Sequence, residues 1–128
     1  MDFDQAIAAH AAWKQKLAKY IKQRDGSLNA AELSLDNKCP LGQWIYGEGS
    51  KHASQPVYAK LKSEHARFHK AVGELVRRAD AGQSIEGEIT IGSKSEFMMA
   101  SAAVVGAIVS LKNLATQGKA DSAAAAAN

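Results

Sequence analysis

Three features of the sequence predict an all-α fold, an antiparallel four-helix bundle of three long helices and one short one. Alanine supplies 25 of the 59 apolar residues in the 128-residue chain, and alanine is the best helix former and a poor strand former. Apolar residues recur every three or four positions over three long stretches, the signature of helices that bury one face. Asp25-Gly26, Gly47-Glu48-Gly49 and Gly82 punctuate those stretches at helix ends. Only 34 larger apolar side chains remain for the core. They suffice for one domain if backbones approach closely, which alanine permits.

The first helix starts after Asp2, an N-cap residue, and extends to about Arg24. Its stripe is Phe3, Ile7, His10, Trp13, Leu17 and Tyr20/Ile21, so His10 points where the core lies. A helical turn is expected at residues 29–33. The short helix runs from Pro40 to Tyr46, because proline is well tolerated at the first helical position. The next long helix covers about residues 54–81, with Tyr58, Leu61, His65, Phe68, Val72, Leu75 and Ala79 inward and His69 and Val76 beside them. Residues 84–92 form a connector whose Ile85, Ile89 and Ile91 cover one end of the bundle. The last helix spans about 93–116, with Phe97, Ser101, Val104, Val105, Ile108 and Leu111 inward. Ala102, Gly106 and Ser110 form a small-residue row that admits another helix. Residues 1–118 are thus read as one domain and 119–128, with five successive alanines, as an unordered tail.

Charge and termini narrow the function. The net charge is +3, and the richest basic stretch, residues 14–24, is interleaved with Leu17, Tyr20 and Ile21. That is a solvated helix face and no footprint for nucleic acid. A single cysteine excludes an internal disulfide. The first residues lack a secretory pattern. The apolar run from Phe97 to Leu111 falls short of the roughly 20 residues of a spanning helix. A cytoplasmic protein without membrane insertion is the expectation.

The chemistry lies in His10, Cys39, His65 and His69. His65 and His69 are four apart on one helix, so both imidazoles share a face and can grip one ion. Alone, such a pair arises often by chance, and a lone inward histidine is ordinarily a satisfied core residue. Together, three inward histidines would bury costly polar groups in a small core unless a ligand satisfied them. A metal does so. Cys39, next to Pro40, falls at a helix N-cap whose free N–H groups stabilise a thiolate, and Lys38 acts in the same direction. Three imidazoles and a thiolate suit one tetrahedral Zn²⁺ per chain; copper competes on affinity. His52 is read as a surface residue.

The segments His10-Ala-Ala-Trp13-Lys14, Cys39-Pro-Leu41-Gly42-Gln-Trp44-Ile-Tyr46-Gly47-Glu48-Gly49 and His65-Ala-Arg-Phe68-His69 resemble the chemoreceptor zinc-binding domain family in order and spacing. The resemblance covers about residues 3–115, and Cys39-Pro-Leu41-Gly42-Gln-Trp44 is its most specific part. It implies a helical bundle holding zinc through His10, Cys39, His65 and His69. It further implies a homodimer, a place in bacterial signalling beside chemoreceptors or diguanylate cyclases, and a response to zinc or oxidants at Cys39. Leu41 and Trp44 are read as anchors of the short helix, Trp13 and Phe68 as packing beside the site, and Gly42 as admitting a neighbouring backbone.

The leading expectation is therefore a non-catalytic sensor. A metal-independent dimerisation bundle is the first alternative. A zinc hydrolase, with Glu64 as base, ranks lower: the HExxH arrangement is lacking and four protein ligands close the tetrahedron.

Overall fold

A computed structural model describes residues 2–23, 28–90 and 93–127, with side chains through residue 114. Every regular element among them is helical: α1 (Phe3–Ala11), α2 (Trp13–Lys22), α3 (Ala30–Leu33), α4 (Pro40–Tyr46), a 3₁₀ segment (Glu48–His52), α5 (Pro56–Asp80), α6 (Glu86–Ile89) and α7 (Glu96–Ala127).

The first long helix is interrupted where the apolar period gave no warning. Asp2 does cap it, accepting from the Gln5 N–H at 3.0 Å. Ala12 then adopts a turn conformation between α1 and α2. The Ala12 N–H still reaches the Ala8 carbonyl, and Lys16 N–H reaches Ala12, so the interruption is one residue wide. His10 consequently lies in the last turn of α1. The expected stop at Asp25-Gly26 lies outside the described residues.

The long helices α5 and α7 pack along each other, α1 packs on α7, and α3 and α4 pack on α5. Each inward residue expected on α5 is buried. The helix ends as glycine-terminated helices do, with Gly82 at φ +83° and the Gln83 N–H bonded to the Arg78 carbonyl at 2.9 Å. The connector holds one helical turn, α6, and its Ile85 and Ile89 are buried in the core. Ile91 lies outside the described residues.

On α7, Phe97, Ala100, Val104, Ala107, Ile108 and Leu111 are buried, whereas Ala102, Gly106 and Ser110 face solvent. The stretch Glu96–Leu114, 19 residues, is long and apolar enough, by length and composition, to cross a membrane, and so exceeds the apolar run expected from Phe97 to Leu111. Its inner face is spent on the core shared with α5 and α1. The helix continues to Ala127. The tail expected at 119–128 falls where no side chains are described.

Candidate metal centre

α5 supplies two donors, α1 one, and the start of α4 the fourth. His65 and His69 sit one turn apart, their Nε2 atoms 3.0 Å from each other. Cys39 Sγ lies 3.3 Å from His65 Nε2 and 3.5 Å from His69 Nε2. His10 completes the group, its ring centroid 5.1 Å from that of His65 and 6.1 Å from that of His69. One donor atom from each of the four lies within 4.8 Å of all the others. Tetrahedral zinc, with Zn–N near 2.0–2.1 Å and Zn–S near 2.3 Å, sets donor separations of roughly 3.3–3.8 Å. The four side chains thus fit one ion with small adjustments.

The backbone selects the imidazole faces. His10 Nδ1 lies 2.8 Å from the Ala6 carbonyl, one turn back on its own helix. His69 Nδ1 lies 2.9 Å from the carbonyl of Leu33 at the end of α3. A carbonyl only accepts, so each Nδ1 carries the proton and each Nε2 keeps its lone pair for the centre. His65 differs: its Nδ1 is buried and has no hydrogen-bond partner among the described residues.

Electrostatics favour neutral imidazoles. Burial lowers all three pKa values. His65, further opposed by His69 and His10, is pushed down to about 3. Neutral imidazole is the ligating form.

Cys39 corrects one expectation. It is the N-cap of α4, and its Sγ accepts from the Gly42 N–H at 3.4 Å. Yet burial outweighs the helpful N–H groups and pushes the thiol above its ordinary pKa, with Asp36 adding to the rise. The helix end alone does not make this sulfur a thiolate; a cation among the donors would.

The surrounding residues divide by role. Phe68 is fully buried, its ring centroid 5.2 Å from that of His10 and 5.5 Å from that of His69. Leu41 is buried under α4, and Trp44 meets Phe3 edge-on at 5.6 Å. Trp13 is half-buried at the core edge and carries the Lys16 ammonium 4.7 Å above its ring. A Cβ on Gly42 would fall 1.8 Å from the Asp36 carbonyl oxygen, so the chain entering Cys39 passes directly over this glycine. His52 is half-buried against Trp44, their ring centroids 6.0 Å apart, rather than simply on the surface. Glu64 is engaged by Arg67, which also holds Glu96.

Sequence reasoning passed over the Ala6 and Leu33 carbonyls and the Asp36–Tyr46 contact, in which the Tyr46 hydroxyl donates to Asp36 at 2.6 Å. Carbonyls carry no residue signature. The one available hint was that Ala6 precedes His10 by a helical turn.

The geometry defines an all-helical domain with a converging His₃Cys donor set. The sequence profile of the chemoreceptor zinc-binding domain matches residues 10–76, more than half of the chain, and the chain belongs to that family. The matched span begins at His10 and includes all four donors. No curated protein and no solved structure matches the chain.

Proposed function

We propose that this domain is a zinc-dependent regulatory module of bacterial signalling type, with His10, Cys39, His65 and His69 as ligands of one Zn²⁺. The carrying observation is that four donors from three separate elements have their ligating atoms within 4.8 Å of one another. Bound there, zinc would supply the positive charge that holds Cys39 as a thiolate and ties α4 to α1 and α5.

The chain's own residues make the arrangement responsive. Cys39 is half-buried rather than sealed, so small oxidants can reach its sulfur. Hypochlorous acid would transfer its oxygen to the thiolate, giving a sulfenate, chloride and a proton released to water, with the sulfur oxidised and the chlorine reduced by two electrons. A fall in available zinc would release the same arm by mass action. Acid is a third, weaker input, since protonated imidazoles do not ligate. Released from the centre, α4 would shift and present the change to a partner, for which a chemoreceptor or diguanylate cyclase pathway is our reading. The domain is read as cytoplasmic and non-catalytic, since four protein donors leave zinc no position for water.

A homodimer is proposed through the outer face of α7. Met99, Val109 and Leu114 are exposed there alongside Ala102 and Gly106, an apolar face left open by the other described residues. The same face supports the alternative of a dimerisation bundle that works without metal.

Native mass spectrometry with and without a strong chelator separates these readings. One zinc per chain, lost or weakened in Cys39→Ala and His65→Ala, supports the sensor. Metal-free protein whose melting temperature is unaffected by zinc leaves only the dimerisation bundle.

A further inference from the structure

Gly73 lies one turn beyond His69 on α5, so the two share a face, and α3 packs against this helix. The Leu33 carbonyl of α3 reaches His69 Nδ1, and the next residue, Ser34, sits over Gly73. A Cβ on Gly73 would fall 1.9 Å from Ser34 Oγ, 2.9 Å from the Ala30 carbonyl oxygen and 3.1 Å from Ser34 Cβ. Turning the Ser34 side chain would relieve only the first contact. It would also break the 2.7 Å hydrogen bond from its hydroxyl to Ala30. The Ala30 oxygen is backbone, so α3 itself would have to move outward. With a single turn and no buried residue, α3 has little to resist that movement.

Glycine in a helix interior is less favourable than alanine, so a buried glycine here needs a compensating role. We infer that Gly73 is a positioning residue of the metal centre: its missing side chain seats α3 close enough for Leu33 to hold the His69 Nδ1–H and leave Nε2 free to ligate. The inference rests on the zinc-binding reading of the four donors. His10 needs no such device, because its accepting carbonyl, Ala6, belongs to its own helix. His69 alone among the three histidines takes its orientation from the packing of one helix on another.

The test uses the full chain and two substitutions, Gly73→Ala and Gly87→Ala. Gly87, exposed on α6, is a suitable control because among the described residues a Cβ there meets no heavy atom within 4 Å. Imidazole ¹⁵N shifts of the metal-free protein report the tautomer of each histidine, and competition with a chromophoric chelator reports zinc affinity. His69 in the parent chain should be protonated at Nδ1. Gly73→Ala should give a mixture of tautomers at His69, leave His10 unchanged, and weaken zinc binding by about 10–100-fold, the usual effect of losing a ligand's supporting hydrogen bond. Gly87→Ala should stay within about twofold of the parent.

If helix propensity were all that mattered, Gly73→Ala would instead melt higher and bind zinc normally. An unchanged His69 tautomer with parent-like affinity overturns the inference. Should Gly73→Ala fail to fold, the pair Gly73→Ala/Ser34→Gly removes both Ser34 contacts and should restore the fold, while the remaining Ala30 contact keeps His69 a mixture of tautomers. A folded pair with the parent tautomer at His69 also overturns it. A parent chain that binds no zinc defeats the metal reading, while the tautomer comparison still decides what Gly73 does.

Discussion

Three of the four donors come from two unlike regions. His65 and His69 stand on α5, a 25-residue helix with eleven buried residues. Cys39 heads α4, seven residues long with three buried. Only Leu41 and Ile45 of α4 bury large side chains, at about 1.5–3 kcal/mol each. Half-buried Trp44 adds its edge-on contact with Phe3, and the remaining attachment is polar: Tyr58 donates to the Ile45 carbonyl at 2.5 Å, Tyr46 to Asp36 at 2.6 Å, and Cys39 meets the histidines. On the proposed reading α5 keeps its place without a metal and the Cys39 arm depends on one, a dependence that would convert zinc occupancy or sulfur oxidation into movement.

Removing a ligand should break the comparison most severely. Structural zinc sites bind with about 10–16 kcal/mol shared over four ligands, so losing one donor costs about 3 kcal/mol, roughly a hundredfold in affinity. Cys39→Ala and His65→Ala should both show this loss by chelator competition. They should differ in what remains of the metal-free protein, since His65 is fully buried in α5 and Cys39 is half-buried at the head of the arm.

Gly42→Ala comes next. Its Cβ would strike the Asp36 carbonyl, forcing the chain before Cys39 off α4 at about 1–3 kcal/mol. Denaturant melts should show that loss, together with weaker zinc binding. A neutral result would mean that this approach does not hold Cys39 in place.

Acid tests the three histidines. The metal-free fold keeps His10, His65 and His69 neutral, with pKa values below the ordinary 6.5. Their contribution is complete above pH 6.5. It declines as the pH falls, because the unfolded chain then binds protons that the fold refuses, down to about pH 3 for His65. Each such histidine adds up to about 1.4 kcal/mol per pH unit to the slope. Melting temperature measured between pH 7 and pH 4 should fall steadily, and a flat profile would show that these imidazoles are not buried neutral.

Tyr46→Phe should have the smallest effect. The hydrogen bond to Asp36 pushes the Tyr46 pKa up to about 12, but the side chain is exposed. Its loss should cost no more than about 1 kcal/mol, with zinc affinity nearly unchanged.

Much of this arrangement was legible in the sequence because it follows local rules. Cys39-Pro40 marks a helix start, Gly82 a helix end, and the inward stripe of α5 places His65 and His69 with the core. What escaped depends on longer-range packing or on opposing terms. Alanine gives no warning of a break, so the interruption at Ala12 was invisible. The sign at Cys39 turned on burial outweighing the helix end, a balance that neighbouring residues do not encode. The Leu33 carbonyl reaches His69 across 36 positions and has no side-chain signature.

Hydrogen exchange followed by mass spectrometry, on the protein with zinc and after chelation, tests the central claim most directly. Metal removal should raise exchange sharply in peptides spanning residues 30–52, while peptides from residues 60–76 of α5 keep most of their protection. Equal loss in both regions, or no loss in either, would contradict the account.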